Sequence, residues 1–158
     1  MREELSFRQV MGVFPTGVTV VAARGKDGDP CGLTVNSFTS VSLDPPLVLV
    51  CIDRDSSTHD RLVEVGTFTV SILAAHQTDL ATRFAFDPAE ARFRDEEWRS
   101  EHDGALVPEG AAAWMVCDLD AVHEGGDHSI LVGRVRHLGA GDSEALVFYR
   151  GRYGTVSP

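Results

Sequence analysis

Several things that would settle the class of a protein early are scarce or missing here. Cysteine is rare: Cys31, Cys51 and Cys117 stand far apart and are odd in number. That excludes a disulfide framework and a zinc ribbon, and it fits a reducing cytoplasm. No stretch approaches the ~18 consecutive apolar residues of a membrane-spanning helix. The first ten residues mix charges of both signs without an apolar run, so no secretory signal is expected there. Basic residues are outnumbered, 14 Lys and Arg against 24 Asp and Glu, for a net charge of −10. Such a balance argues against nucleic acid and against an anionic membrane surface as partners. It does not forbid a phosphate held by local backbone N–H and hydroxyl groups.

Familiar catalytic signatures are missing too. The six histidines show no H-x-x-x-H spacing, and no carboxylate–histidine cluster points to a metal. There is no G-x-S-x-G elbow, no P-loop lysine after a Gly-rich turn, and no G-x-G-x-x-G fingerprint. If the chain uses a nicotinamide cofactor, it does not hold it on a Rossmann crevice.

What is present reads as an ordinary globular chain. Apolar residues make up 43% of 158 residues, enough for one core without staples, and no repeat or low-complexity linker divides it. One domain spanning 1–158 is expected. Phe7, Val10, Met11 and Phe14 recur at helical spacing and define a short helix with one apolar face, with Ser6 and Gln9 spaced as a capping box. The period then changes to two. Val18 to Ala23, Gly32 to Val41, Leu47 to Ile52, Thr67 to Leu73, Trp114 to Val122, Ser129 to Leu138 and Ala145 to Tyr149 read as strands. Leu47 to Ile52 is continuously apolar, as for a strand buried on both faces. Thr67 to Leu73 alternates, with Phe68, Val70 and Ile72 opposite Thr67, Thr69 and Ser71. Asp44-Pro45-Pro46 interrupts any ladder. Helices are expected at about 58–65, ended by Gly66, and at about 77–86, whereas 87–110 is charged, weakly patterned and read as a loop or lid. Six or seven short strands with two or three short helices indicate a mainly β, closed or nearly closed barrel.

Five segments can carry chemistry, and each also has a purely structural explanation. In Thr34–Ser42, six of nine side chains bear hydroxyl or amide groups. They suit the polar edge of a flavin ring, or equally a solvated edge strand. Asp53-Arg54-Asp55-Ser56-Ser57-Thr58 opens a helix and reads as a phosphate cradle or a plain N-cap. Arg83-Phe84-Ala85 offers a cation and a ring near a helix end, or simply an amphipathic end whose arginine favours the dipole. In Gly125-Gly126-Asp127-His128 a tight turn presents an imidazole that can orient a carboxamide or donate a proton, or merely face solvent. Tyr149-Arg150-Gly151-Arg152-Tyr153 alternates aromatic and cationic groups, as a pyrophosphate clamp or a hairpin turn.

The order of these segments is more specific than any one of them. Phe14-Pro15-Thr16-Gly17-Val18-Thr19-Val20-Val21, Gly32-Leu33-Thr34-Val35-Asn36-Ser37-Phe38, Ser40-Val41-Ser42-Leu43-Asp44-Pro45-Pro46-Leu47-Val48, Arg83-Phe84-Ala85, Gly126-Asp127-His128 and Tyr149-Arg150-Gly151-Arg152-Tyr153 follow one another along the chain. The series resembles the flavin reductase family of the flavin-binding split barrel, small reductase components of two-component flavin-dependent monooxygenases. The likeness runs from about Phe7 to Val156. It implies a Greek-key split barrel, a homodimer with flavin near the subunit interface, and transient supply of reduced flavin to an oxygenase. It assigns FMN or FAD to Thr34, Asn36, Ser37, Ser40, Cys51, Asp53, Ser56, Ser57, Thr58, Phe84 and Ala85. It assigns NADH or NADPH to His128 and to Tyr149, Arg150, Gly151 and Arg152. The implied reaction passes hydride from nicotinamide C4 to flavin N5, and the protein's task is to stack the rings at about 3–3.5 Å. His128, the one residue given a catalytic part, is expected to position the nicotinamide. The alternatives are a flavoprotein reducing another acceptor, a non-enzymatic flavin-binding or sensor protein, and a structural barrel without ligand.

Overall fold

A computed structural model describes residues 5–156. Seven strands form one antiparallel sheet: β2 (Thr19–Arg24), β3 (Pro30–Val35), β4 (Phe38–Leu43), β5 (Pro46–Asp53), β6 (Thr67–Ile72), β9 (Ala113–Gly125) and β10 (His128–Ala140). Their order across the sheet is β3-β2-β6-β9-β10-β5-β4. The two edge strands, β3 and β4, are consecutive in the chain and separated only by Asn36 and Ser37. From Val35 to Phe38 an extended chain reaches roughly 11 Å at most, so the sheet must curl until its edges approach. No ladder joins β3 to β4, and the barrel is therefore split rather than closed.

The expected strand Gly32 to Val41 is thus two strands, broken where the chain passes from one edge to the other. Asp44-Pro45-Pro46 forms the tight link between β4 and β5, with Leu43 paired to Pro46. A smaller sheet of β1 (Thr16–Gly17), β11 (Leu146–Tyr149) and β12 (Arg152–Thr155) holds the C-terminal hairpin. The two residues of that hairpin's turn, Arg150 and Gly151, both take positive φ, 49° and 75°.

β2 shows how period two builds a core on both faces. Val21 and Ala23 join Val50, Ile52, Leu62, Phe68, Val70 and Leu131 inside the barrel, while Val20 and Ala22 join Leu73, Leu80, Phe84 and Leu146 outside it. Each such large side chain contributes about 1.5–3 kcal/mol by leaving water. Helix α2 (His59–Val65) covers one barrel opening through Leu62 and ends at Gly66, which takes φ 71°. Helix α3 (Thr78–Phe86) packs on the outer cluster through Leu80, Ala81 and Phe84.

Two expectations, for β5 and for residues 87–110, need correction, and for α1 and β6 burial shows where each face lies. Helix α1 (Phe7–Met11) forms with its Ser6–Gln9 capping box, yet its apolar face is bare: Phe7 is 82% and Phe14 68% exposed. The local capping bonds suffice to form the turn, and among the described residues that face is left largely to solvent. In β5, Val48, Val50 and Ile52 are buried, whereas Leu47, Leu49 and Cys51 are only half-buried, so one face of the strand stays open. In β6 the hydroxyl side is buried as well, with Thr69 Oγ1 donating to the carbonyls of Leu106 (2.8 Å) and Ala22 (3.2 Å). Residues 87–110 are no bare loop. They form α4 (Ala89–Arg92), two short 3₁₀ turns and a hairpin of β7 (Trp98–Ser100) and β8 (Leu106–Pro108), whose Leu106 and Val107 are buried over β6.

Candidate flavin and nicotinamide site

The C-terminal end of β5 and the N-terminal end of β10 lie side by side, because Asp53 is the ladder partner of His128. Beyond that pair the chain continues as a hydroxyl-bearing loop on one side and the Gly125–Asp127 turn on the other. Two bonds hold them together: Arg54 N donates to Asp127 O (3.0 Å), and His59 Nε2 lies 2.8 Å from Ser129 Oγ. Asp53 Oδ1 accepts from Asp55 N (2.9 Å) and rounds off the loop's first turn.

The hydroxyl groups of this region divide into two sets. Several are used inside the chain. Thr34 Oγ1 donates to Ala81 O (2.7 Å) and ties α3 to β3. Ser37 Oγ donates to Cys51 O (2.9 Å), while Cys51 N donates to Ser37 O (3.1 Å). Ser56 Oγ accepts from His59 N (3.2 Å). Thr58, buried, turns its hydroxyl to Gly32 O (3.3 Å) instead of capping α2. Asn36, Ser40 and Ser57 form the second set: they are exposed, and among the described residues their side chains make no hydrogen bond within the chain. Neutral donors and acceptors left free on an open face are what the pyrimidine edge and tail of a flavin require, and a charge there would have to be desolvated. The donor set fits the group.

His128 is half-buried, with Nδ1 2.7 Å from Asp127 Oδ1. That hydrogen bond, with the imidazole's own charge, holds the exposed Asp127 carboxyl below its ordinary value. An ionised carboxylate only accepts, so Nδ1 carries the proton, and among the described residues Nε2 makes no hydrogen bond within the chain.

The Arg83-Phe84-Ala85 segment is arranged differently. Phe84 is fully buried, edge-on to Phe93 at 4.9 Å and 5.4 Å from Trp98. Arg83 is buried too, pairing with Glu97 and donating from Nε to Arg92 O (2.8 Å). Arg92 in turn donates to Gly32 O (2.7 Å). The guanidinium is therefore committed to the 87–110 segment and not presented to a phosphate, and only Ala85 of the three is exposed. Tyr149, Arg150, Gly151 and Arg152 form the β11–β12 turn, where Arg150 Nε donates to Tyr149 Oη (2.9 Å) and Arg150 N to Gly12 O (2.9 Å). Among the described residues no hydrogen bond, ion pair or aromatic contact joins this turn to the His128 region. Ladder and hydrogen bonds join Ser37 to Cys51 and the Asp53–Thr58 loop to the start of β10 at His128, whereas Thr34 is tied to α3 and the 149–152 turn to Gly12 after α1.

Two hollows in the chain lie elsewhere, one around Gly25–Asp27 and Arg61 and the other beneath His102–Leu106 beside Arg136. Sequence reasoning missed His59, Ser129, Arg92 and Glu97. His59 directly follows the hydroxyl run, but nothing in the sequence links it to a serine 70 positions away.

The split antiparallel barrel, with a hydroxyl-bearing loop set beside the His128 imidazole, has the form that the flavin reductase resemblance implies. Residues 11–157 match the flavin reductase like domain, and the chain belongs to that family. It is 44% identical to a flavin reductase of Pseudomonas putida, over 94% of this chain and 87% of that protein. It is 41% identical to an NADH-dependent FAD reductase of Streptomyces globisporus, over 99% and 88%. It spans 48% of a probable flavin reductase of Rhizobium meliloti strain 1021, at 41% identity over 95% of this chain. Among solved structures, BorF, the flavin reductase component of a bacterial two-component tryptophan halogenase, superposes with a TM-score of 0.89, at 42% identity and 96% coverage of both chains. The NADH:FAD oxidoreductase SgcE6 of Streptomyces globisporus, in complex with NAD and FAD fragments, gives 0.88 at 42% identity, over 96% of this chain and 91% of that one.

Proposed function

We propose that this chain is an NAD(P)H-dependent flavin reductase that passes reduced FMN or FAD to a separate oxygenase. The bound flavin supplies the redox chemistry, as acceptor of the nicotinamide hydride. The chain's own residues bind and orient. Asn36, Ser40 and Ser57 offer unspent polar groups to the flavin. Thr34, Ser37, Cys51, Asp53, Ser56 and Thr58 shape the backbone around it, and Ala85 leaves room at the end of α3. His128 presents Nε2 to the nicotinamide carboxamide, with Asp127 fixing its tautomer. The observation that carries this reading is the Asp53–His128 pairing, which sets the flavin loop beside the imidazole.

The working unit is a homodimer. Its support is the bare stripe of Phe7, Val10, Met11 and Phe14 and the half-open face of β5, apolar surface that a lone chain rarely leaves in contact with water. A second copy also gives the Tyr149–Arg152 turn a route to a nicotinamide held by its partner. A cytoplasmic setting is supported by three free thiols, Cys31, Cys51 and Cys117; among the described residues no helix is long and apolar enough to cross a membrane. Oxidation of NADH and NADPH, measured with and without free FMN or FAD, tests the activity. Turnover dependent on added flavin is expected, and turnover independent of it points to another acceptor. Sedimentation of the wild type against Phe7→Ser/Phe14→Ser tests the dimer, which that variant should convert to monomer.

A further inference from the structure

The Asp53–Thr58 loop is anchored to the His128 strand at both ends. At its start the anchor is main-chain, Arg54 N to Asp127 O. At its finish it is a side-chain bond, His59 Nε2 to Ser129 Oγ at 2.8 Å, between an imidazole that is 12% exposed and a serine that is 7% exposed. His59 Nδ1 lies 2.8 Å from Asp60 Oδ1, and Asp60 reaches into solvent. With Nδ1 carrying the proton toward that carboxylate, Nε2 accepts from the Ser129 hydroxyl. Ser129 would otherwise be a buried hydroxyl without a partner, so the bond is costly to break. The main chain of His59 also donates to Ser56 Oγ, which makes this residue the point where loop, helix α2 and strand β10 meet.

We infer that His59 and Ser129 are a positioning pair, setting the distance and tilt of the flavin loop relative to His128 without touching either cofactor. This rests on the proposed reductase reading. Cofactor rings must be brought together to within a few tenths of an ångström, and a loop free to move by about 1 Å can lose on the order of 100-fold in rate. The two half-sites lie on different elements, and among the described residues this is the one side-chain bond that joins the loop's far end to β10.

The test compares the wild type with H59A, S129A, the double variant H59A/S129A and H59Q. Dissociation constants for FMN and FAD are measured by fluorescence quenching without nicotinamide, and kcat and KM for NADH at saturating flavin. H59A and S129A should each weaken flavin binding about tenfold, the equivalent of one hydrogen bond. The double variant should lose no more than either single one, because both remove the same bond. Both should lower kcat at saturating flavin while leaving KM for NADH within about twofold. H59Q, whose amide nitrogen reaches close to the place of Nε2, should stay within about threefold of wild type, which loss of packing alone would not predict. Since S129A removes only one oxygen, it decides the matter if H59A does not fold. Flavin affinity unchanged in S129A, or losses that multiply in the double variant, overturn the pairing alone. A wild-type chain that binds neither FMN nor FAD overturns the underlying reading and the pairing with it.

Discussion

Asp127 and His128 are neighbours in sequence whose side chains turn back on each other, Oδ1 to Nδ1 at 2.7 Å, at the mouth of the β9–β10 hairpin. The turn that allows this is tight because Gly126 takes φ 71°, where a side chain would be strained. The contact gives the imidazole one tautomer and one orientation. Asp127→Asn keeps the shape but can donate as well as accept, so both tautomers become available. The expected result is a several-fold higher KM for NADH with unchanged affinity for flavin, read by steady-state kinetics beside a flavin titration. Because the Asp127 carboxyl is held below its ordinary 3.8, the unfolded chain binds its proton first as pH falls. The contribution of the contact is therefore complete above about pH 4 and lost only as pH drops through the depressed value. Carboxyl NMR titration of Asp127 should show that low midpoint.

Arg83 and Glu97 pair across the junction between α3 and the 87–110 segment, with the arginine buried. Removing one partner leaves the other without its match, at a cost of roughly 3 kcal/mol. Arg83→Met should lower the urea midpoint accordingly. Arg83→Lys should rescue little, since a lysine cannot serve Glu97 and the Arg92 carbonyl with one planar group. A phosphate-binding Arg83 would instead weaken flavin affinity and leave the midpoint alone.

Burial pushes the Cys117 thiol up to about 12, and burial raises Cys31 as well. In the unfolded chain the Cys117 thiol ionises near 9, so between about pH 9 and 12 the unfolded state has lost a proton that the folded state keeps. Stability should be independent of these groups below pH 9 and fall above it. Cys117→Ala should cost stability outright and flatten that alkaline slope, as measured by urea unfolding from pH 8 to 11.

Gly133 sits where β10 crosses the barrel core. A Cβ there would lie 2.7 Å from Phe68 Cζ and 2.9 Å from Cys117 Cβ, both fully buried. Gly133→Ala should destabilise by about 1–3 kcal/mol through overpacking. Gly154, which has open space around it, serves as the neutral comparison.

Much of this architecture was legible because strands keep a period of two in their side-chain chemistry, as in β6, where apolar residues alternate with Thr and Ser. The capping box of α1 and the Gly66 end of α2 are local signals and came through for the same reason. What failed to show was long-range. Nothing local says that Thr34, in a run rich in hydroxyls, bonds to α3, or that Asn36, two residues on, stays free. Residues 87–110 looked patternless because their anchors, Phe93, Trp98 and Leu106, are spaced by turns rather than by one period. Arg83 stayed open between a phosphate contact and a plain helix end because its partner, Glu97, is 14 residues away across a loop. The candidate site residues come from the order of motifs along the whole chain, and their division into bonded and free groups needed coordinates.

The most direct test is an anaerobic titration of the wild type with NADH in the presence of excess free FMN or FAD, followed at the flavin absorption band. The account predicts catalytic bleaching of the flavin pool by wild type, and much slower bleaching by His128→Ala although that variant binds flavin as tightly. A flavin pool that stays oxidised with NADH and wild type would contradict it.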